Sequence, residues 1–141
     1  MMNRLTLIGH LGDDPKLNVT PKGNKVASFP IPLYHYSSKP GDKGQWIECQ
    51  VWNKLAEKVV ESQKVGKMVY VEGELHHSYR KNEKGEWSNR TFLSVSLIRF
   101  LSPRDKNGQE ADASVEVEEY QQDNPENVEN LEQELEAIFS N

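Results

Sequence analysis

An all-β fold is predicted: five short strands forming a small barrel, one helix between the third and fourth strands, and an acidic tail. Three observations predict it. Turn-forming clusters of Pro, Gly, Asn and Asp cut the first 101 residues into short segments. Apolar residues alternate along most of these segments, which is the period of a strand, while 54–64 follows the helical period. All 17 Lys and Arg lie in the first 106 residues.

Taken in order, the first strand is expected over 4–11, with Leu5, Leu7 and Leu11 at period two, ended by Asp13-Asp14-Pro15. Thr20-Pro21-Lys22-Gly23-Asn24 is a turn by composition. The second strand is expected over 26–36, and 37–44 is a loop. The third runs over 46–52. Asn53 suits a helix N-cap and Gly66 a helix stop. Between them Leu55 pairs with Val59, and Ala56 with Val60, at i,i+4, giving one apolar face. The fourth strand is expected over 68–80, with Val69, Val71 and Leu75 inward. A hairpin tip at Asn82-Glu83-Lys84-Gly85 leads to the fifth over 87–101, and Pro103 closes the domain. This order matches an OB-fold barrel, that is, a five-stranded barrel of the oligonucleotide- and oligosaccharide-binding type. An α+β sandwich fits the same pattern less well.

Residues 1–104 are thus the folded domain and 105–141 the tail. Residues 1–106 carry 17 Lys/Arg against 11 Asp/Glu, a net of +6, whereas 107–141 carry none against 11. A basic body points to a polyanionic partner. The stretch 105–123 is too polar to order itself. Beyond Asn124-Pro125, the residues Val128, Leu131, Leu135, Ile138 and Phe139 recur at helical spacing. This makes 125–139 a latent amphipathic helix, with Leu131, Leu135, Ile138 and Phe139 as candidate partner-binding residues.

Several classes are not expected. No apolar run is long enough for a membrane span, and the N-terminus has no secretory pattern. A single cysteine, Cys49, precludes an intrachain disulfide and fits a reducing cytoplasm. His10, His35, His76 and His77 have no zinc-like spacing, so no metal and no cofactor are expected. No nucleophile–base pair or phosphate loop stands out, so no enzyme is expected.

The third strand carries the chemistry. Ile47, Cys49 and Val51 form its apolar, inward face, which leaves Trp46, Glu48, Gln50 and Trp52 outward. In the second strand Phe29, Ile31 and Leu33 point inward, and Ser28, Pro30, Pro32, Tyr34 and Tyr36 outward. Trp46, Trp52, Tyr34 and Tyr36 therefore share one outer face, with Lys25, Lys39, Lys43, Lys54 and Arg80 expected around them. Aromatics interleaved with cations suit unpaired nucleic acid: bases stack on rings, and cations neutralise phosphates. Tyr and Trp also favour subunit interfaces, so composition leaves both readings open. Pro30 and Pro32 remove two donors from one side of the second strand, which marks that side as an edge or a widened gap. Tyr70, between acids on the fourth strand, suits an interface or simple half-exposure.

These residues resemble the bacterial-type single-stranded DNA-binding protein family. The similar segments are the opening from Met2 to Pro15, then Thr20-Pro21-Lys22-Gly23 with Val26-Ala27-Ser28-Phe29, then Trp46, then Lys54-Leu55-Ala56-Glu57. Gly66 and Val69-Tyr70-Val71-Glu72-Gly73-Glu74-Leu75 follow in the same order. The resemblance spans roughly 2–101. It implies a non-catalytic homo-oligomer, a tetramer by preference or a dimer, that binds single-stranded DNA in replication, recombination and repair. It implies stacking roles for Trp46 and Trp52, subunit contacts for Tyr70 and Ile47, and a tail that recruits replication and repair proteins. Tyr79 corresponds to a family aromatic displaced by one position, and would point inward after Leu75 unless a bulge re-aims it. Glu48 stands where a cation is common and Ile47 where a histidine is. The linker and tail ending also depart from the family pattern. These departures leave a second reading, a helicase or primosome interaction module with weak DNA affinity.

Overall fold

The computed structural model describes residues 1–34, 39–41, 44–102 and 118–122. Its elements are β1 (Leu5–His10), β2 (Lys16–Val19), β3 (Lys25–Leu33), β4 (Gln45–Trp52), α1 (Asn53–Ser62), β5 (Met68–Lys81), β6 (Trp87–Phe100) and β7 (Glu118–Gln121). All seven strands belong to one sheet, ordered β1-β5-β6-β4-β3-β2, with β7 also paired to β6. The mostly β fold with one helix after β4 is as expected, but β2 and β7 were not foreseen. β2 escaped because Lys16-Leu17-Asn18-Val19 is short and exposed throughout.

The core takes the inward residues of each strand and the apolar side of α1. Phe29, Ile31, Val51, Val69, Val71 and Leu93 are buried there together with Leu55, Ala56 and Val59 from the helix. The expected i,i+4 face is therefore the packed one. Asn53 does not cap that helix. Its backbone has a φ of 50°, and its side-chain oxygen accepts the Lys25 amide at 3.1 Å, so it ties α1 to β3 instead.

β5 and β6 form a long antiparallel hairpin closed by Asn82, whose side-chain oxygen accepts the Glu86 amide at 2.8 Å. Glu72 faces Leu97 while Gly73 faces Val95, so Ser96 is an extra residue on β6. The bulge changes which residues of β6 point inward: Ile98 and Phe100 on one side of it, Val95 and Leu93 on the other. Gly73 is required there. A Cβ at that position would lie 2.0 Å from the Ser94 carbonyl oxygen.

β3 is flanked by β4 along Val26–Leu33, but β2 pairs only Lys25–Ser28 on its other side. Pro30 lies beyond β2, and its carbonyl accepts the Gly12 amide at 2.8 Å. The amide and carbonyl of one residue point to the same side of an antiparallel strand. The missing donors of Pro30 and Pro32 thus fall on the side where no strand pairs and Gly12 approaches, in keeping with the edge or widened gap expected from sequence.

Two corrections concern the far ends of the sheet. Leu75 is exposed although it sits opposite core residue Leu93, because the hairpin runs out past the core. The stretch 105–123 was expected to stay unordered, yet Glu118–Gln121 adds a strand to β6. There Tyr120 packs on Phe100 at 5.1 Å between ring centres, beneath the Lys58 ammonium, so one aromatic anchors an otherwise polar strand. The 125–139 helix, with Leu131, Leu135, Ile138 and Phe139, lies outside the described residues.

Candidate nucleic-acid interface

The outer face is built on β4 and β3. Strand alternation puts Trp46, Glu48, Gln50 and Trp52 on one side, and the register sets them against Pro32, Pro30, Ser28 and Val26. Trp46 is 66% exposed because it lies at the start of β4, before β6 joins. Tyr34, just past β3, is also exposed.

The other end of this face differs from expectation. Trp52 is only 3% exposed, in a small cluster with Val26 and Phe92, and Gln50 is fully buried. β4 runs parallel to β6 over Glu48–Gln50, and this brings Phe92 onto the outer face near Trp52. The expectation that Trp52 stands exposed beside Trp46 is therefore corrected. Tyr36 and Lys43 lie outside the described residues. Ile47 points inward and packs, half-buried, against the core.

The cations are unevenly available. Lys25 pairs with Glu57 across to the helix, so it spends its charge inside the protein. Lys54 is exposed at the start of α1, Lys39 is exposed, and Arg80 is half-buried on the hairpin. Arg90 forms a forked pair with Glu48 on the outer face.

The hairpin supplies a second set of aromatics. Tyr79 is 67% exposed and Trp87 is 72% exposed. The Ser96 bulge does not re-aim Tyr79, which keeps the same face as Leu75. It is exposed because the core ends before it. His77 meets Tyr79 edge-on at 4.6 Å and contacts the Thr91 hydroxyl at 2.6 Å. The Lys81 ammonium lies 5.9 Å from the Trp87 ring centre. Trp87 is a further exposed aromatic that was not expected from the sequence. The available signal was a tryptophan beside a polar hairpin tip, where no core could take it.

Tyr70 sits in a charged cluster on β5. Its hydroxyl donates to Glu72, Arg4 donates to the same carboxylate at 2.5 Å, and Arg99 lies 5.1 Å from the Tyr70 ring centre. The Glu72 hydrogen bond pushes the Tyr70 phenol above its ordinary value. The same bond, helped by Arg4, holds the Glu72 carboxyl below the usual carboxylate range. Burial, with the Glu48 charge adding to it, drives the Cys49 thiol far up, so it is not a nucleophile. Among the described residues, no three His, Cys, Asp or Glu are placed to hold a metal, and no helix is long and apolar enough to cross a membrane.

A sheet that presents exposed aromatics among lysines and arginines defines a binding module. The chain belongs to the single-strand binding protein family, whose profile matches residues 2–101. It is 33% identical over 115 residues to a single-stranded DNA-binding protein of Bacillus cereus, a match covering 78% of this chain and 66% of that protein. It is 31% identical over 110 residues to single-stranded DNA-binding protein A of Bacillus subtilis, covering 77% of this chain and 64% of that one. A single-stranded DNA-binding protein 1 of Chlorobaculum tepidum is 30% identical over 118 residues, covering 80% and 73%. The chain thus spans slightly less than two thirds of the first two relatives.

Proposed function

We propose that this protein binds single-stranded DNA with little sequence preference, stacking bases on aromatic side chains and neutralising phosphates with lysine and arginine. The observation that carries the reading is Trp46, 66% exposed on a sheet face with Tyr34 beside it. An exposed ring in a strand costs apolar burial and offers a stacking platform. Tyr79 and Trp87 offer further exposed rings on the other face of the hairpin, with Lys54, Lys39 and Arg80 as phosphate ligands. Stacking reads no base edges, hence the weak sequence preference.

The sheet closes into an OB-fold barrel in this reading. The Gly12–Pro30 hydrogen bond supports it, as does Gly9, where a Cβ would lie 2.7 Å from Ile31. The protein acts in the bacterial cytoplasm during replication, recombination and repair, as a homo-oligomer with Tyr70 and Ile47 at subunit contacts. Its tail recruits partner proteins through Leu131, Leu135, Ile138 and Phe139.

Titration of the full chain with a thymidine oligomer tests the reading. Tryptophan fluorescence is expected to quench, less so as salt rises. No quenching at low salt with micromolar protein would overturn it. A second reading, an interaction module with weak DNA affinity, is favoured by the burial of Trp52 and the engagement of Lys25 by Glu57. Millimolar dissociation at low salt would select it.

A further inference from the structure

Arg90 and Glu48 meet on the face that carries Trp46. Arg90 Nε donates to Glu48 Oε2 at 3.1 Å, and Nη2 reaches both carboxylate oxygens. Both side chains are partly exposed. This forked geometry is the one by which arginine also grips a phosphate, because carboxylate and phosphate present similar two-oxygen edges.

The pair's place in the sheet matters. β4 and β6 are paired only over Glu48–Gln50 and Phe92–Ser94. Arg90 lies two residues before that ladder, where the hairpin departs from β4. It follows Phe92 in strand alternation and so stands on the outer face that carries Trp46, where a strand stacked on that ring would need its phosphates neutralised. Glu48 faces Pro30 on β3 and Phe92 on β6, neither of which carries a charge.

We propose that Glu48 is an internal stand-in for a backbone phosphate: it occupies Arg90 and so lowers DNA affinity by about one phosphate contact. The inference rests on the reading of the protein as a single-stranded DNA binder. It makes Glu48 a residue that tunes affinity rather than one that contacts a base. A partly exposed ion pair adds little to stability, so a purely structural role accounts poorly for an acid on this face.

The test is a titration of the full chain with a thymidine oligomer across a salt series, alongside the unfolding midpoint. E48Q keeps the shape and removes the carboxylate charge that Arg90 grips. It is expected to bind about three- to tenfold tighter at low salt, with the log–log salt slope steeper by about 0.7, the value for one phosphate on a single strand. The double variant E48Q/R90Q is expected to return to the wild-type slope. Glu48→Ser serves as a second variant should E48Q not fold, with the same expected slope. Wild-type binding with an unchanged slope in both Glu48 variants, or weaker binding with a lowered unfolding midpoint, overturns this inference alone and makes the pair a structural clip. Wild-type protein that fails to bind the oligomer overturns the functional reading, and this inference with it.

Discussion

Gln122 grips the backbone of Trp52 with both ends of its side-chain amide. Its oxygen accepts the Trp52 amide at 2.8 Å, and its nitrogen donates to the Trp52 carbonyl at 3.2 Å. The grip falls where β4 hands over to α1, so Gln122 does for Trp52 what a neighbouring strand would do. Gln122 also donates its own amide to Ser96, at the β6 bulge. The segment after β7 is thus fastened to both the end of β4 and the β6 bulge.

Q122A removes both bonds and leaves the Trp52 amide without its acceptor. A loss of about 1–3 kcal/mol is expected in denaturant unfolding, the usual cost of a stranded buried donor. Hydrogen exchange gives a local check: the Trp52 amide should exchange slowly in the wild type and quickly in Q122A. Equal exchange rates would remove Gln122 from any structural role.

Trp46 and Trp87 are the rings with most to lose on truncation. W46A is expected to weaken binding of a thymidine oligomer by about 1–3 kcal/mol, and W87A by a similar amount, if each stacks on one base. Trp52 is already buried, so W52A should lower the unfolding midpoint more than it alters the affinity of the folded fraction. An unaltered affinity in W46A would move that ring to a subunit contact.

Gly73 has no room for a side chain. An added Cβ would meet the Ser94 carbonyl oxygen at 2.0 Å and its carbon at 2.8 Å. These are backbone atoms in a ladder and cannot rotate away. G73A is expected to cost about 3 kcal/mol or more, read as a lower urea midpoint. By contrast, G44A meets nothing within 4 Å and should be nearly silent.

The Tyr70–Glu72 pair gives the protein two titrating edges. The Glu72 carboxyl is held low by the Tyr70 hydrogen bond, so its contribution is complete above the ordinary carboxylate value near 4.5. It is lost as the pH falls through the lowered value. Tyr70 is raised, so its contribution is complete below the ordinary phenol value near 10 and is lost as the pH rises through the raised one. Phenolate absorbance in E72Q should therefore show one tyrosine ionising at lower pH than in the wild type. Superimposable titrations would separate the two residues.

Much of the fold was written in local sequence. The Leu55/Val59 and Ala56/Val60 pairs set the buried face of α1, Asn82 to Gly85 set the hairpin tip, and Pro30 with Pro32 marked an unpaired strand side. What escaped depends on residues far apart in the chain. Period two puts Trp52 on the same face as Trp46, but nothing local says that Phe92 arrives beside it by a parallel pairing forty residues on. Leu75 reads as core because the strand pattern continues past the point where the core ends. Tyr120 sits among acids, and the composition that argues against order there is outweighed by one ring finding Phe100 and Lys58. For the candidate site, aromatics near a turn (Tyr34, Trp46) were legible, whereas Trp87 was passed over because its strand begins with it.

The two prolines of β3 bear on more than topology. Proteins held in a row along one polymer are crowded against each other at local concentrations far above those of free solution, and bare sheet edges then become sites for strand-to-strand fusion. On this side of β3 Gly12 already takes the Pro30 carbonyl, and the missing amide hydrogens at Pro30 and Pro32 leave a neighbour few further bonds to form. If copies line a strand as proposed, the two prolines would thus help keep them separate.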